Sequence, residues 1–263
     1  RCLDPEDLAR ILDEPGAGAI RAVIPVHLYG DRADLPGIRR VLAAAGRGDV
    51  RVIVDAAQAH GSPDVASEAA LTCYSFYPAK NLGTLGDSGI VLTNDRDLAG
   101  RLERLRNHGR AGKHSVSELG LNSRFDELHA AILRVKLPEL RGWNASRRDS
   151  AAAYGELLAD LPDLRLPADS PGHVYHLYAV ELPPERRDAV AAALNDRGVG
   201  TGLHYPVPTH RMPPYPSQRP LPLADRQCAS VLSLPLFPGM RMDELRRVGE
   251  ALAAALPAPG DPR

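Results

Sequence analysis

The sequence predicts an α/β protein whose first half folds around a mostly parallel sheet, followed by a smaller α+β domain. Three observations predict it. Short apolar runs alternate with helix-patterned segments over residues 21–106, the order that builds parallel sheets from strand–helix units. Beyond residue 160 that alternation gives way to proline-rich loops. The length of 263 residues, 44% hydrophobic and 25% charged, is enough for two packed cores. The boundary is placed between Leu140 and Leu164, giving expected domains over 1–150 and 151–263.

Each element has a local reason. Leu3, Leu8, Ile11 and Leu12 recur among charges, a short helix pattern over 4–12. Residues 21–30 read as a strand running into a loop. Leu35 to Ala45 is a helix closed by Gly46 and Gly48. Val50 to Val54 is a strand whose composition predicts burial on both faces, with Asp55 at its C-terminal end. Leu71 to Tyr77 is a second such strand, stopped by Pro78, and Gly89 to Thr93 a third, turned by Asn94-Asp95. Helices follow at 98–106 and 124–137, where Pro138 ends or kinks the second, and helix resumes over 143–158. In the second half, 161–172 is loop, 173–182 alternates like a strand, and 186–197 is an Ala-rich helix stopped by Gly198. Residues 206–222 are irregular, 243–256 form an amphipathic helix, and 257–263 form a frayed tail.

Composition excludes several function classes. Acidic and basic residues nearly cancel, 33 against 32, so no bulk positive field exists to hold nucleic acid. No apolar run approaches the roughly 18 residues that span a bilayer. Cys2, Cys73 and Cys228 are odd in number and far apart. They form neither a disulfide framework nor a zinc knuckle, which fits a reducing, cytoplasmic compartment. His108 and His114 lack an acid or cysteine at ligand spacing, so no metal site is expected.

Three groups in the first half bear on chemistry. Asp55 opens Asp-Ala-Ala-Gln at the carboxyl end of a strand, where open α/β sheets bind ligands; an N-cap or surface role accounts for it equally well. Lys80 follows the strand break at Pro78 and opens a loop with Gly83, Gly86 and Gly89, glycines that let backbone approach a ligand closely; a solvated lysine is the plain alternative. Asn122-Ser-Arg124 precedes a helix and serves at least as its cap. The glycines spell neither the dinucleotide G-x-G-x-x-G nor a Gly-Lys-Ser/Thr phosphate loop. Taken together, an acid and a lysine on neighbouring strand ends fit pyridoxal 5'-phosphate. That cofactor needs an amine for its aldehyde and an acid for its pyridinium nitrogen. Ser75 adds a hydroxyl for the phosphate.

The segments 55–61 (Asp-Ala-Ala-Gln-Ala-His-Gly), 75–87 (Ser-Phe-Tyr-Pro-Ala-Lys-Asn-Leu-Gly-Thr-Leu-Gly-Asp), 122–128 and 204–208 (His-Tyr-Pro-Val-Pro) resemble, in order, the DegT/DnrJ/EryC1/StrS family. The resemblance runs from about Val23 to about Leu256. It implies the aspartate aminotransferase-like fold, fold type I, and amino transfer from an amino acid, L-glutamate by family habit, to a nucleotide-diphosphate keto sugar. It implies that Lys80 carries the cofactor and shuttles the proton and that Asp55 pairs with the pyridinium. Ala57 packs on the ring, Gln58 bonds the ring hydroxyl, and Ser75 binds the phosphate. Asn122 reaches the cofactor of a neighbouring subunit in a homodimer with shared sites. His204 and Tyr205 lie where the smaller domain closes over the sugar. The form of the lysine loop looks more like members that aminate C3 than C4.

The sequence departs from the family pattern at several points. Ser88 replaces the first of two glycines, Leu121 stands where Tyr is common, and His129 where Gln is common. Family members also carry an N-terminal block ahead of the segment matched here, with a helix start that binds phosphate and an aromatic that stacks on the ring. The large domain is therefore expected to be incomplete, with an impaired, truncated product as one alternative. Related sugar dehydratases carry His at the lysine position, and Lys80 argues against that alternative. Arg101, Arg104, Arg106, Arg110 and Lys113 form a basic run, read as a solvated face. His60 either faces the site or is structural.

Overall fold

The computed structural model describes residues 1–65, 69–215 and 219–256. The chain forms two compact units. One comprises Arg1–Gly142 with Ser170–Val174, the other Trp143–Asp169 with the described residues from Tyr175 onward.

In the first unit, α1 (Pro5–Leu12) starts where Asp4 accepts the Glu6 N–H at 2.9 Å and Pro5 takes the first helical position. β1 is short, Ala22–Val23 only. Pro25 cannot donate to a ladder, so the strand expected over 21–30 survives beyond Val23 only as a bridge from Val26 to Asp55. α2 (Leu35–Ala44) is capped by Asp34, which accepts the Gly37 N–H at 2.8 Å. β2 (Arg51–Asp55) runs parallel to β1 and to β3 (Leu71–Ser75), with Asp55 opposite Cys73. β4 (Gly89–Leu92) pairs antiparallel with β3, giving the order β1-β2-β3-β4.

The composition of β2 and β3 reads as burial on both faces, which needs helices on each side; among the described residues one face of β2 is covered. Val52 and Val54 are fully buried with Leu8, Ile38 and Leu42 of α1 and α2, whereas Arg51 is exposed and Ile53 and Asp55 are half-buried. Helices among the described residues pack on the Val52–Val54 face, so β2 alternates. All four residues of β4 are exposed. A groove of about 1300 Å³ lies beside it, lined by Cys73, Ile90, Leu92, Leu102, Leu105 and Phe125 among others.

α3 (Arg96–Leu105) is capped by Asp95 and leads into a small hairpin, β5 (Arg110–Gly112) and β6 (Ser115–Val116). Part of the basic run is engaged here: Arg101 and Arg104 converge on Glu118 at 3.3 and 2.8 Å. α4 (Glu127–Lys136) follows. Pro138 then allows only a 3₁₀ turn over Leu137–Glu139 before α5 (Leu140–Leu158).

In the second unit, α5 is followed by β7 (Tyr178–Glu181), α6 (Pro184–Asp196), α7 (Pro222–Ser230), β8 (Val231–Leu234) and α8 (Met242–Ala255). β7 and β8 pair antiparallel, Tyr178 opposite Leu234. The strand expected over 173–182 narrows to β7, and His173 lies buried in the first unit rather than in a strand. Gly198 ends α6 with φ of +73°. The core joins Tyr154, Leu158, Val180, Leu194, Leu232 and Leu252. Arg147, 8% exposed, sits against it. Its Nη1 donates to the carbonyls of Leu236, Tyr175 and His176 at 3.0, 3.1 and 3.4 Å. Burial pulls that guanidinium down to about 10. The tail at 257–263 lies outside the described residues.

The two faces of the helices set a stability contrast. Ile38 is fully buried and Leu128 is 69% exposed. Ile38→Ala should cost about 2–5 kcal/mol and Leu128→Ala no more than about 0.5 kcal/mol. Urea unfolding of both variants checks this, and equal costs would mean that the first core is misassigned.

Candidate active site

The parallel register brings β2 and β3 to a common C-terminal edge, and the sequence-predicted residues of the first unit gather there. Asp55 ends β2. Its backbone bonds Pro25 and His27 at 3.0 and 2.9 Å, and its Oδ1 accepts the Ala57 N–H at 2.9 Å. That last bond orients the carboxylate. Ala57 is half-buried beside it, and Gln58 is buried. The Gln58 Oε1 accepts the Tyr29 N–H at 2.5 Å, which turns the amide's NH₂ end away from Tyr29. Tyr29 presents that N–H from a left-handed backbone, φ +62°.

Ser75 ends β3, and its Oγ accepts the Tyr77 N–H at 3.3 Å. The chain then loops through Lys80. Phe76 N–H donates to Ser88 O at 2.7 Å and Thr84 N–H to Phe76 O at 2.8 Å, so the loop is closed on itself. Asn81 anchors it by donating to Val174 O at 3.0 Å. The loop's own packing already requires Gly83: a Cβ there would stand 2.6 and 2.5 Å from the carbonyl oxygens of Tyr77 and Pro78.

Lys80 is half-buried, and among the described residues no hydrogen bond or ion pair commits its amine. Burial lowers its pKa, and the opposing pull of the Asp55 charge is the smaller effect. His60 is 3% exposed between the rings of Tyr74 and Phe76, at 5.2 and 5.6 Å. Burial first, then the Lys80 charge, lowers it to about 4. His27 is fully buried and likewise falls to about 4, from burial and then Arg32. Its Nδ1 accepts the Ala33 N–H at 2.9 Å, so its proton sits on Nε2.

Asn122 is not brought into this group. It is exposed, bridging to Asn107 on the segment that returns from the β5–β6 hairpin. His204 and Tyr205 belong to the second unit. There the His204 Nδ1 lies 2.9 Å from Ser233 Oγ, and the two rings pair edge-on at 5.7 Å. Sequence reasoning missed Tyr29, Asn81, His129 and Lys136 as partners of the site. One signal was available for Lys136: Lys80, Lys113 and Lys136 are the only lysines among 32 basic residues.

The donor set fits pyridoxal phosphate, because an uncommitted amine of lowered basicity and an oriented carboxylate share one strand edge. Among the described residues no cluster suits a metal ion, and no helix is long and apolar enough to cross a membrane.

Comparison with known proteins agrees. The chain matches the DegT/DnrJ/EryC1/StrS aminotransferase family over residues 1–253. It is 42% identical over 242 residues to a dTDP-3-amino-3,4,6-trideoxy-alpha-D-glucose transaminase of Streptomyces venezuelae, covering 88% of this chain and 62% of that protein. It is 41% identical over 244 residues to a UDP-N-acetyl-3-dehydro-alpha-D-glucosamine 3-aminotransferase of Acidithiobacillus ferrooxidans, covering 90% and 64%. The chain thus spans just under two thirds of the length of these relatives. Among solved structures, S. venezuelae DesV in complex with a ketimine intermediate matches with a TM-score of 0.87 at 40% identity, over 96% of this chain and 68% of that one. An NtdA structure from Bacillus subtilis with bound cofactor PMP matches at 0.86 and 31% identity, over 97% and 60%. These likenesses and the mostly parallel sheet bear out the expected fold class.

The two buried histidines give a pH prediction. Each is neutral in the fold down to about pH 4, while an exposed histidine titrates near 6.5. Between those values the unfolded chain binds more protons. Stability is therefore fully present above about 6.5 and is lost as pH falls toward 4, at up to about 1.4 kcal/mol per pH unit per histidine. Urea unfolding from pH 7 to 4.5 should show this slope, and His60→Gln should make it shallower. An unchanged slope would contradict the assignment.

Proposed function

Because the chain belongs to the DegT/DnrJ/EryC1/StrS aminotransferase family, we propose that it transfers an amino group from L-glutamate to the C3 keto carbon of a nucleotide-diphosphate sugar, using pyridoxal 5'-phosphate. The observation that carries this reading is the Lys80 amine, half-buried, uncommitted and within Coulombic reach of Asp55. The 3-amino-sugar transaminases among the relatives support C3. When bound, the cofactor supplies an aldehyde and an electron-withdrawing ring.

The chain's own groups would act as follows. The Asp55 carboxylate holds a positive partner at the ring nitrogen. Ala57, small and half-buried, leaves room for a flat ring, and Gln58 hydrogen-bonds the ring hydroxyl. Ser75 hydrogen-bonds the phosphate. Lys80 Nζ, kept less basic by burial, accepts a proton from the amino-acid carbon and returns it to the product. Asn122, on its exposed segment, serves the site of a second copy in a homodimer, and His204 with Tyr205 contacts the sugar. The enzyme would work in the cytoplasm, in aminosugar synthesis for polysaccharides or antibiotics.

Borohydride reduction of the protein with pyridoxal phosphate should fix the cofactor to a Lys80 peptide, with none in Lys80→Ala. An adduct that survives Lys80→Ala sinks the reading. Asp55→Asn should still bind it but slow the glutamate half-reaction about a hundredfold or more. In a third test, Lys80→Ala and Asn122→Ala subunits are mixed. Recovered activity supports shared sites, and none at any ratio refutes them.

A further inference from the structure

α4 meets the Lys80 loop along one stripe. His129, Leu133 and Lys136 follow at spacings of four and three, which places them on one helix face. Leu133 packs with Phe76, Leu82 and Leu140. The Lys136 Nζ donates to Gly83 O. His129 makes the third contact, its Nδ1 2.6 Å from Ser88 Oγ. Ser88 is the residue whose carbonyl accepts the Phe76 N–H, so the contact falls where the loop closes.

The Ser88 Oγ stands between two partners, Asp87 O at 2.8 Å and His129 Nδ1 at 2.6 Å, and a hydroxyl can both donate and accept. The ring also abuts the loop: a Cβ on Gly86 would meet His129 Cε1 at 3.2 Å. Two departures from the family pattern, Ser88 for glycine and His129 for glutamine, thus meet in a single hydrogen bond. A glycine at 88 would offer no hydroxyl.

We propose that His129 is a positioning residue for Lys80: by holding Ser88 it fixes the closing limb of the loop, and so where the Lys80 amine stands. The proposal rests on the reading of Lys80 as the reactive amine, but it concerns the protein without added cofactor.

The test uses the scarcity of lysine. The whole chain is treated with an amine-acetylating reagent across a pH series, and acetylation of Lys80 is read by mass spectrometry against Lys113. Amide hydrogen exchange at Phe76 and Thr84 is followed in parallel. His129→Ala and Ser88→Ala should each change the Lys80:Lys113 rate ratio at least threefold and speed both amides. The double variant should go no further than either single one. His129→Gln, which keeps a hydrogen-bonding group, should restore the ratio. A purely structural role would lower the melting temperature and leave the ratio unmoved, and that result overturns the proposal. Should His129→Ala lose its cooperative melt, the smaller Ser88→Ala deletion decides. Failure of the cofactor reading shows separately, as wild-type protein that forms no pyridoxal phosphate adduct at Lys80.

Discussion

The parallel pairing of β2 with β3, Asp55 opposite Cys73, governs the geometry of the site. Side chains alternate along a strand, so a slip of one residue would carry the Asp55 carboxylate to the other face of the sheet. Both strands run the same way, so both end at the same edge, and the loops that leave them are neighbours by construction. β1 adds to this from the other side: its continuation brackets Asp55 with bonds from Pro25 and His27 and delivers Tyr29 to Gln58.

Within that frame, charge is distributed sparingly. Lys80 and Asp55 sense one another without forming an ion pair among the described residues. Burial outweighs the carboxylate's pull on the amine. His60, wedged between two rings near Lys80, carries no charge at neutral pH, because a second cation in a desolvated place would be costly. Among the described residues Lys80 is a cation within Coulombic reach of Asp55.

The elements legible in the sequence were those with local signatures. Val50 to Val54 announced a strand by its apolar run, α1 by the spacing of its apolar residues, α2 by its closing glycines, and the Lys80 loop by Pro78 and its glycines. Asp55, Gln58, Ser75 and Lys80 fell together because they sit within a few residues of two paired strand ends. Other features were illegible for equally physical reasons. α7 and β8 share a stretch, Pro222 to Leu234, in which Ala, Ser and Cys blur both periods, and β8 is buried on every residue, so no alternation shows. Tyr29 meets Gln58 29 positions away and Ser88 meets His129 41 away, through pairings that only the folded sheet creates. The glycines were recognised, but not what crowds them: loop carbonyls at Gly83, the His129 ring at Gly86 and the Tyr74 carbonyl at Gly89.

Arg147 has a consequence for how the second unit comes to be folded. A guanidinium keeps its charge at any physiological pH, so it cannot be buried neutral while it waits for partners. Its acceptors come from two turns, at 175–176 and 236, some 28 and 89 positions along the chain. Burying α5 before both turns arrive would strand a charge in apolar surroundings. One side chain thus ties the helix to both turns, and loss of either turn would leave its buried charge short of acceptors.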